Sequence, residues 1–210
     1  MKIIGVTGLP GSGKSVVSRA AKKLNIPIVR MGDVIREEAK KRNQKTGEVA
    51  VELRKEYGEF VVAERCVEII KTHITSKSPS LDTNPRNRSR IKVHKCDIYM
   101  IEGIRSPYEV EIFKKNFTEF KVIAIHSTPN TRFKRLKRRM RPDDSREESD
   151  FQMRDQRELN FGIGNVIATA DYMVVNEGPL KKIKNIIRSI LENEMQNNCK
   201  GQGKPNRRPR

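Results

Sequence analysis

Apolar residues along the chain gather in short runs, and the longer stretches between them carry helical spacing. "KIIGVT" (Lys2 to Thr7) reads as a short buried strand, rich in β-branched residues and followed by a glycine. "IPIV" (Ile26 to Val29), "IYMIEG" (Ile98 to Gly103), "KVIAIHS" (Lys121 to Ser127) and "DYMVVN" (Asp171 to Asn176) read the same way. Between them, "KSVVSRAAKKL", "DVIREEAKK" (Asp33 to Lys41) and "EVAVELRKEYGEFVVAERCVEIIK" predict helices, with a break at Gly58. Ser106 is placed to cap the next helix, with Pro107 at its first position. Thr128 and Pro129 open a strongly basic helix running to about Arg139; "DFQMRDQREL" predicts another. "PLKKIKNIIRSILENE" is amphipathic and begins at Pro179. Five strands alternating with helices predict an α/β fold whose parallel sheet receives ligands at its carboxyl edge.

Two stretches fall outside this pattern. "THITSKSPSLDTNPRNRSRIKVHK" (Thr72 to Lys95) is rich in Ser, Pro, Asn and Arg without periodicity, and reads as a mobile insertion. "QNNCKGQGKPNRRPR" at the end is expected to be disordered. Charge sharpens the distinction. The chain of 210 residues has a formal net charge of +18, and seventeen of these charges fall in three segments: 71–95, 131–146 and 196–210. Such clustering attracts polyanions, phosphorylated substrates and RNA among them, and the insertion and tail are candidates for a weak RNA contact. Cys66, Cys96 and Cys199 are odd in number, widely spaced and without a zinc pattern, as expected of reduced thiols. With no apolar run of membrane-spanning length and no leader before the first strand, a cytoplasmic protein with no membrane partner is expected.

The first strand runs into "GLPGSGKS", comprising Gly8, Leu9, Pro10, Gly11, Ser12, Gly13, Lys14 and Ser15. This is the G-x-x-x-x-G-K-S spacing in the strand-to-helix context it requires. The glycines let the backbone approach an anion with successive N–H groups pointing inward, and the following helix adds its positive dipole end. Lys14 reaches the β- and γ-phosphates and Ser15 offers its hydroxyl to Mg²⁺, so the loop is read as binding ATP with Mg²⁺.

Other chemistry should lie just past the remaining strands. In "RMGDVIRE", Asp33 follows the second strand and Arg36 lies three residues on, against the helix dipole. In "MIEGIRS", Glu102 ends the third strand at the usual place for a group that positions Mg²⁺, and Arg105 is a second guanidinium on that edge. The run "RFKRLKRRMRPDD" repels itself unless an anion shares its charge. Arg138, Arg141, Arg154 and Arg157 are candidates to close over a triphosphate as a lid that excludes water.

The loop, "GDVIR", "EGIR" and "RLKRRMRPDD" occur in the order and spacing of adenylate-kinase-like P-loop kinases. The chain most closely resembles an archaeal family of P-loop ATPases and kinases related to adenylate kinase and dephospho-CoA kinase. The resemblance covers roughly residues 1–70 and 96–195. It implies a five-stranded parallel sheet with helices on both faces. It also implies that Arg36 and Arg105 grip an acceptor phosphate, that Asp33 and Glu102 order Mg²⁺ and its waters, and that the backbone near Asn176 lies close to the adenine. The expected organisation is one domain over 1–195, with acceptor-binding helices at about 31–72, the insertion at about 73–95, a lid at about 138–160, and the tail at 196–210. Glu102 departs from the usual "DG" pattern by one methylene. The expected function is transfer of the γ-phosphate of ATP to a small, phosphorylated, nucleotide-like acceptor, with catalytic roles for Lys14, Asp33, Arg36, Arg105 and Arg141. Dephospho-CoA kinase activity, with Asp33 as general base, is the second reading. An RNA- or ribonucleoprotein-associated ATPase switch and a nucleotide-binding module without turnover are readings of other classes.

Overall fold

The computed structural model describes residues 1–76, 98–139 and 147–201. Five strands, β1 (Lys2–Thr7), β2 (Ile28–Arg30), β3 (Ile98–Ile104), β4 (Glu119–His126) and β5 (Tyr172–Val175), form one parallel sheet in the order β2-β3-β1-β4-β5. Successive side chains of a strand point to opposite faces, and both faces are covered. Ile4, Val6, Met100, Ile123 and Ile125 face one side, under α1 (Ser15–Lys23) and α9 (Leu180–Gly201), which contribute Val17, Ala21, Ile187 and Leu191. Ile3, Tyr99, Ile101 and Val122 face the other, under α2 (Met31–Arg42), α3 (Thr46–Tyr57), α4 (Val61–Ser76), α5 (Pro107–Asn116) and α8 (Ile163–Ala168). The basic α6 (Pro129–Arg139) sits at the carboxyl end of the sheet, against the phosphate loop, and α7 (Glu148–Asn160) is bonded to α6.

Several boundaries differ from the sequence reading, each for a local reason. Pro27 has no N–H to give, so β2 begins after it, and α2 follows without a loop from Met31. Asp33 is therefore in the first turn of α2 and does not cap it; Arg30 occupies that place. Ser106 does cap α5, its Oγ accepting from the Tyr108 N–H at 3.1 Å. Gly58, at φ 90°, separates α3 from α4 as expected. Helix α4 runs to Ser76, so 73–76 belong to it; the rest of the expected insertion, with Cys96, lies outside the described residues. Helix α9 extends to Gly201, which makes 196–201 helical where disorder was expected, because its buried stripe continues from Leu191 through Glu194 to Asn198. The short α8 was not anticipated. Among the described residues no helix is long and apolar enough to cross a membrane, and burial pushes the Cys66 thiol up to about 12.

Candidate phosphate-transfer cleft

Strand β1 is hydrogen-bonded on both sides and ends at Thr7, whose hydroxyl donates to the Ile104 carbonyl at 2.8 Å. The phosphate loop leaves from this fixed point. Its carbonyls are engaged from behind: Ser12 O accepts from Asn176 Nδ2 (2.8 Å), Ser127 Oγ (3.2 Å) and an Arg135 terminal nitrogen (3.3 Å). Pro10 O accepts from Arg132 at 3.2 Å. With these carbonyls held on the protein side, and Ser12 N–H given to Leu9 O at 3.1 Å, the remaining loop amides are left for an anion on the other. Gly13, at φ 101°, has no room for a side chain, because a Cβ there would strike the Asn176 amide. Asn176 thus supports the loop from behind.

Lys14 folds back on the loop, donating to the Gly8 and Leu9 carbonyls. Burial pushes its ammonium down to about 8, and the Arg105 charge adds to the shift; Glu158 and Glu102 oppose it. Ser15 opens α1 with its side chain on the cleft.

A one-residue irregularity shapes the facing wall. Strands β1 and β3 pair evenly to Val6 and Glu102, after which Thr7 pairs with Ile104. Gly103 is the extra residue, at φ 105°, a backbone that glycine adopts readily. Glu102 is held there by Ser18 Oγ and by Arg30 Nε (3.2 Å), both on its Oε2. Its Oε1 has no partner among the described residues. A carboxylate oxygen of this kind, opposite the Ser15 hydroxyl, is a donor set that fits Mg²⁺ held directly or through water.

The cleft between these walls measures about 720 Å³. Lys14, Ser15, Asp33, Arg36, Glu102 and Arg105 all line it, with Gly11 and Gly13 of the loop. Arg36 pairs with Asp33, and Arg105 with Glu158 at 2.6 Å, so Glu102 and Arg105 do not pair with each other. The basic helix delivers different arginines from those expected. Arg135 and Arg139, one turn apart, line the cleft, as does Arg154; Arg138 is exposed and does not. Arg157 is turned toward Gly47 of α3 and away from the cleft. Arg141 lies outside the described residues. Arg132 was missed altogether. It is buried with Leu136, four residues on, and the signal that marks it is this i, i+4 pairing with an apolar residue inside the charged run.

Residues 7–151 match the AAA domain family. A UPF0200 protein of Methanothermobacter thermautotrophicus is 52% identical over 191 residues, 91% of this chain and 90% of the relative. One from Pyrococcus abyssi is 46% identical over 200 residues, covering 90% and 97%. Among solved structures, a gluconokinase from Sinorhizobium meliloti is similar with a TM-score of 0.54 at 15% identity, covering 97% of this chain and 98% of that one. A shikimate kinase from Acinetobacter baumannii, in complex with shikimate, gives 0.52 at 16%, covering 94% of each. At such identities the likeness is one of fold. The chain belongs to the UPF0200 family, with a P-loop domain in the kinase fold shared by these structures.

Proposed function

We propose that this protein is a phosphotransferase that moves the γ-phosphate of ATP, held with Mg²⁺, to a small, phosphorylated, nucleotide-like acceptor. The observation that carries this reading is the pair of cationic walls in one cleft: Lys14 on the loop, and Arg36 with Arg105 past β2 and β3. The loop and Lys14 hold the β- and γ-phosphates; Ser15 and Glu102 would hold the metal, which would supply charge neutralisation on the phosphates. Arg36 and Arg105 hold the acceptor's own phosphate, leaving its nucleophilic oxygen aimed at the γ-phosphorus. The bond from that phosphorus to the bridging oxygen breaks as the new one forms; ADP leaves, and Arg139 and Arg154 meet the charge spreading over the transferring group. The fold shared with a gluconokinase and a shikimate kinase, both kinases of small molecules, supports the reading.

Transfer of radiolabelled γ-phosphate across nucleoside monophosphates, dephospho-CoA, shikimate, gluconate and RNA ends tests it. One small phosphorylated acceptor should be labelled while hydrolysis stays negligible. Arg36→Ala or Arg105→Ala should raise the acceptor KM and leave ATP affinity unchanged. An ATPase rate stimulated by RNA, with no acceptor labelled, would replace the phosphotransferase by the switch.

A further inference from the structure

Helix α7 reaches both halves of the cleft from within a single turn. Asp155 accepts from both terminal nitrogens of Arg132, at 2.8 and 2.5 Å. Arg132 in turn donates to Pro10 O of the phosphate loop and to Ser127 O, so Asp155 acts on the loop through an arginine. Three residues on, along the same helical face, Glu158 forms an ion pair with Arg105, its carboxylate 2.6 Å from Nε. Glu158 and Arg132 are 4% and 2% exposed, so each pair has one partner shielded from bulk water. The backbone of Arg105 is fixed separately: its N–H donates to Glu109 at 2.7 Å, and Glu109, fully buried, takes Arg54 at 2.6 Å. Glu158 approaches the guanidinium of Arg105 at Nε, and Arg105 lines the cleft.

We infer that Asp155 and Glu158 are positioning residues, and that one turn of α7 sets the distance between the ATP loop and the acceptor arginine by holding Arg132 and Arg105 from behind. The inference rests on the acceptor role given to Arg105 above. Phosphoryl transfer needs donor and acceptor within a few tenths of an ångström of the reactive geometry, and a single rigid helix bonded to both subsites supplies that register. By approaching on the Nε side, Glu158 orients a two-pronged cation that suits a phosphate.

The full chain serves for the test, with two probes: a non-hydrolysable ATP analogue with Mg²⁺, and inorganic phosphate titrated while that analogue fills the loop. In calorimetry, Glu158→Ala should weaken phosphate binding about tenfold and leave the analogue unchanged, whereas Asp155→Ala should do the reverse. Glu158→Gln should keep most of the phosphate affinity, because its amide oxygen can occupy the same place beside Nε. Thermal melts run in parallel identify a variant that fails to fold, and the Gln variant then carries the comparison through the Arg105 Nε–H resonance. Its protection from exchange should persist in Glu158→Gln and exceed that of the other exposed arginines. Folded variants with native affinities, or equal losses of both probes in each variant, overturn the inference. If wild type binds no phosphate beside the analogue, the acceptor site is wrong, and the Asp155 limb is decided by the analogue titration alone.

Discussion

Lys14 is a buried ammonium that makes do with two carbonyls until a phosphate arrives. Because burial has pushed it down to about 8, a polyphosphate placed beside it restores the charged form, and binding takes up a proton near that pH. Affinity for the ATP analogue should then fall about tenfold per pH unit above 8, and calorimetry in buffers of different ionisation heat should lose the proton uptake in Lys14→Met. Between about 8 and the ordinary lysine value of 10.5 the folded chain binds fewer protons than the unfolded one, so stability of the free protein should rise with pH across that window. Lys14→Ala should lower turnover about a hundredfold or more. The eight residues of the loop were legible because their spacing specifies a backbone shape as well as side chains. Arg135 was not, and Arg132 only through its spacing to Leu136: in a segment with so many like charges, the other inward arginines are distinguished by the finished helix alone.

At the scale of elements, α9 shows how a helix can be tied to a sheet at the end away from the cleft. Lys2, at the start of β1, is 2% exposed and pairs with Glu194 of α9 and with Glu119 at 3.1 Å. Burial by itself would lift the Glu194 carboxyl, but hydrogen bonds from Lys2 and Tyr172 outweigh it and hold the group below its usual range. The hydrogen bond to Glu194 also pushes the Tyr172 hydroxyl up to about 12. Removing one partner leaves an uncompensated buried charge, so Lys2→Met should cost about 3–5 kcal/mol in denaturant titrations. A carboxyl held low stabilises the fold above its unfolded value of about 4.5, and that contribution is lost as pH falls through the folded one. Acid unfolding should accordingly begin at lower pH in wild type than in Lys2→Met. The helix itself was legible from its apolar spacing, but its last turns were not, since Glu194 and Asn198 read as solvent-facing until the strand beneath them is in place.

At the scale of the molecule, alternating strands and helices announced the two-sided sheet, because a strand buried on both faces is apolar at nearly every position. The order of the strands and the slip at Gly103 were not legible, since both depend on pairings between residues about a hundred positions apart. The charge excess was visible, and the fold concentrates part of it: nine Lys and Arg side chains line the cleft against Asp33 and Glu102. At constant ionic strength, pyrophosphate should therefore raise the melting temperature more than sulfate, and chloride least. At a hundred times its dissociation constant pyrophosphate adds about 2.7 kcal/mol, and Lys14→Ala should remove most of that gain.

The central position of β1 has a consequence for how the chain is made. On the ribosome β1 precedes its neighbours, which begin at Ile98 and Glu119, so its apolar residues wait for about a hundred further residues to be synthesised. At about 5–20 residues per second that interval is roughly 5–20 s, during which the segment that will carry the phosphate loop is an unpaired, aggregation-prone edge. No ligand of the cleft can shorten it, because the wall formed by Glu102 and Arg105 is absent until β3 has arrived. The strand that carries the phosphate loop is also the one that waits for the longest stretch of chain before it is paired on both sides.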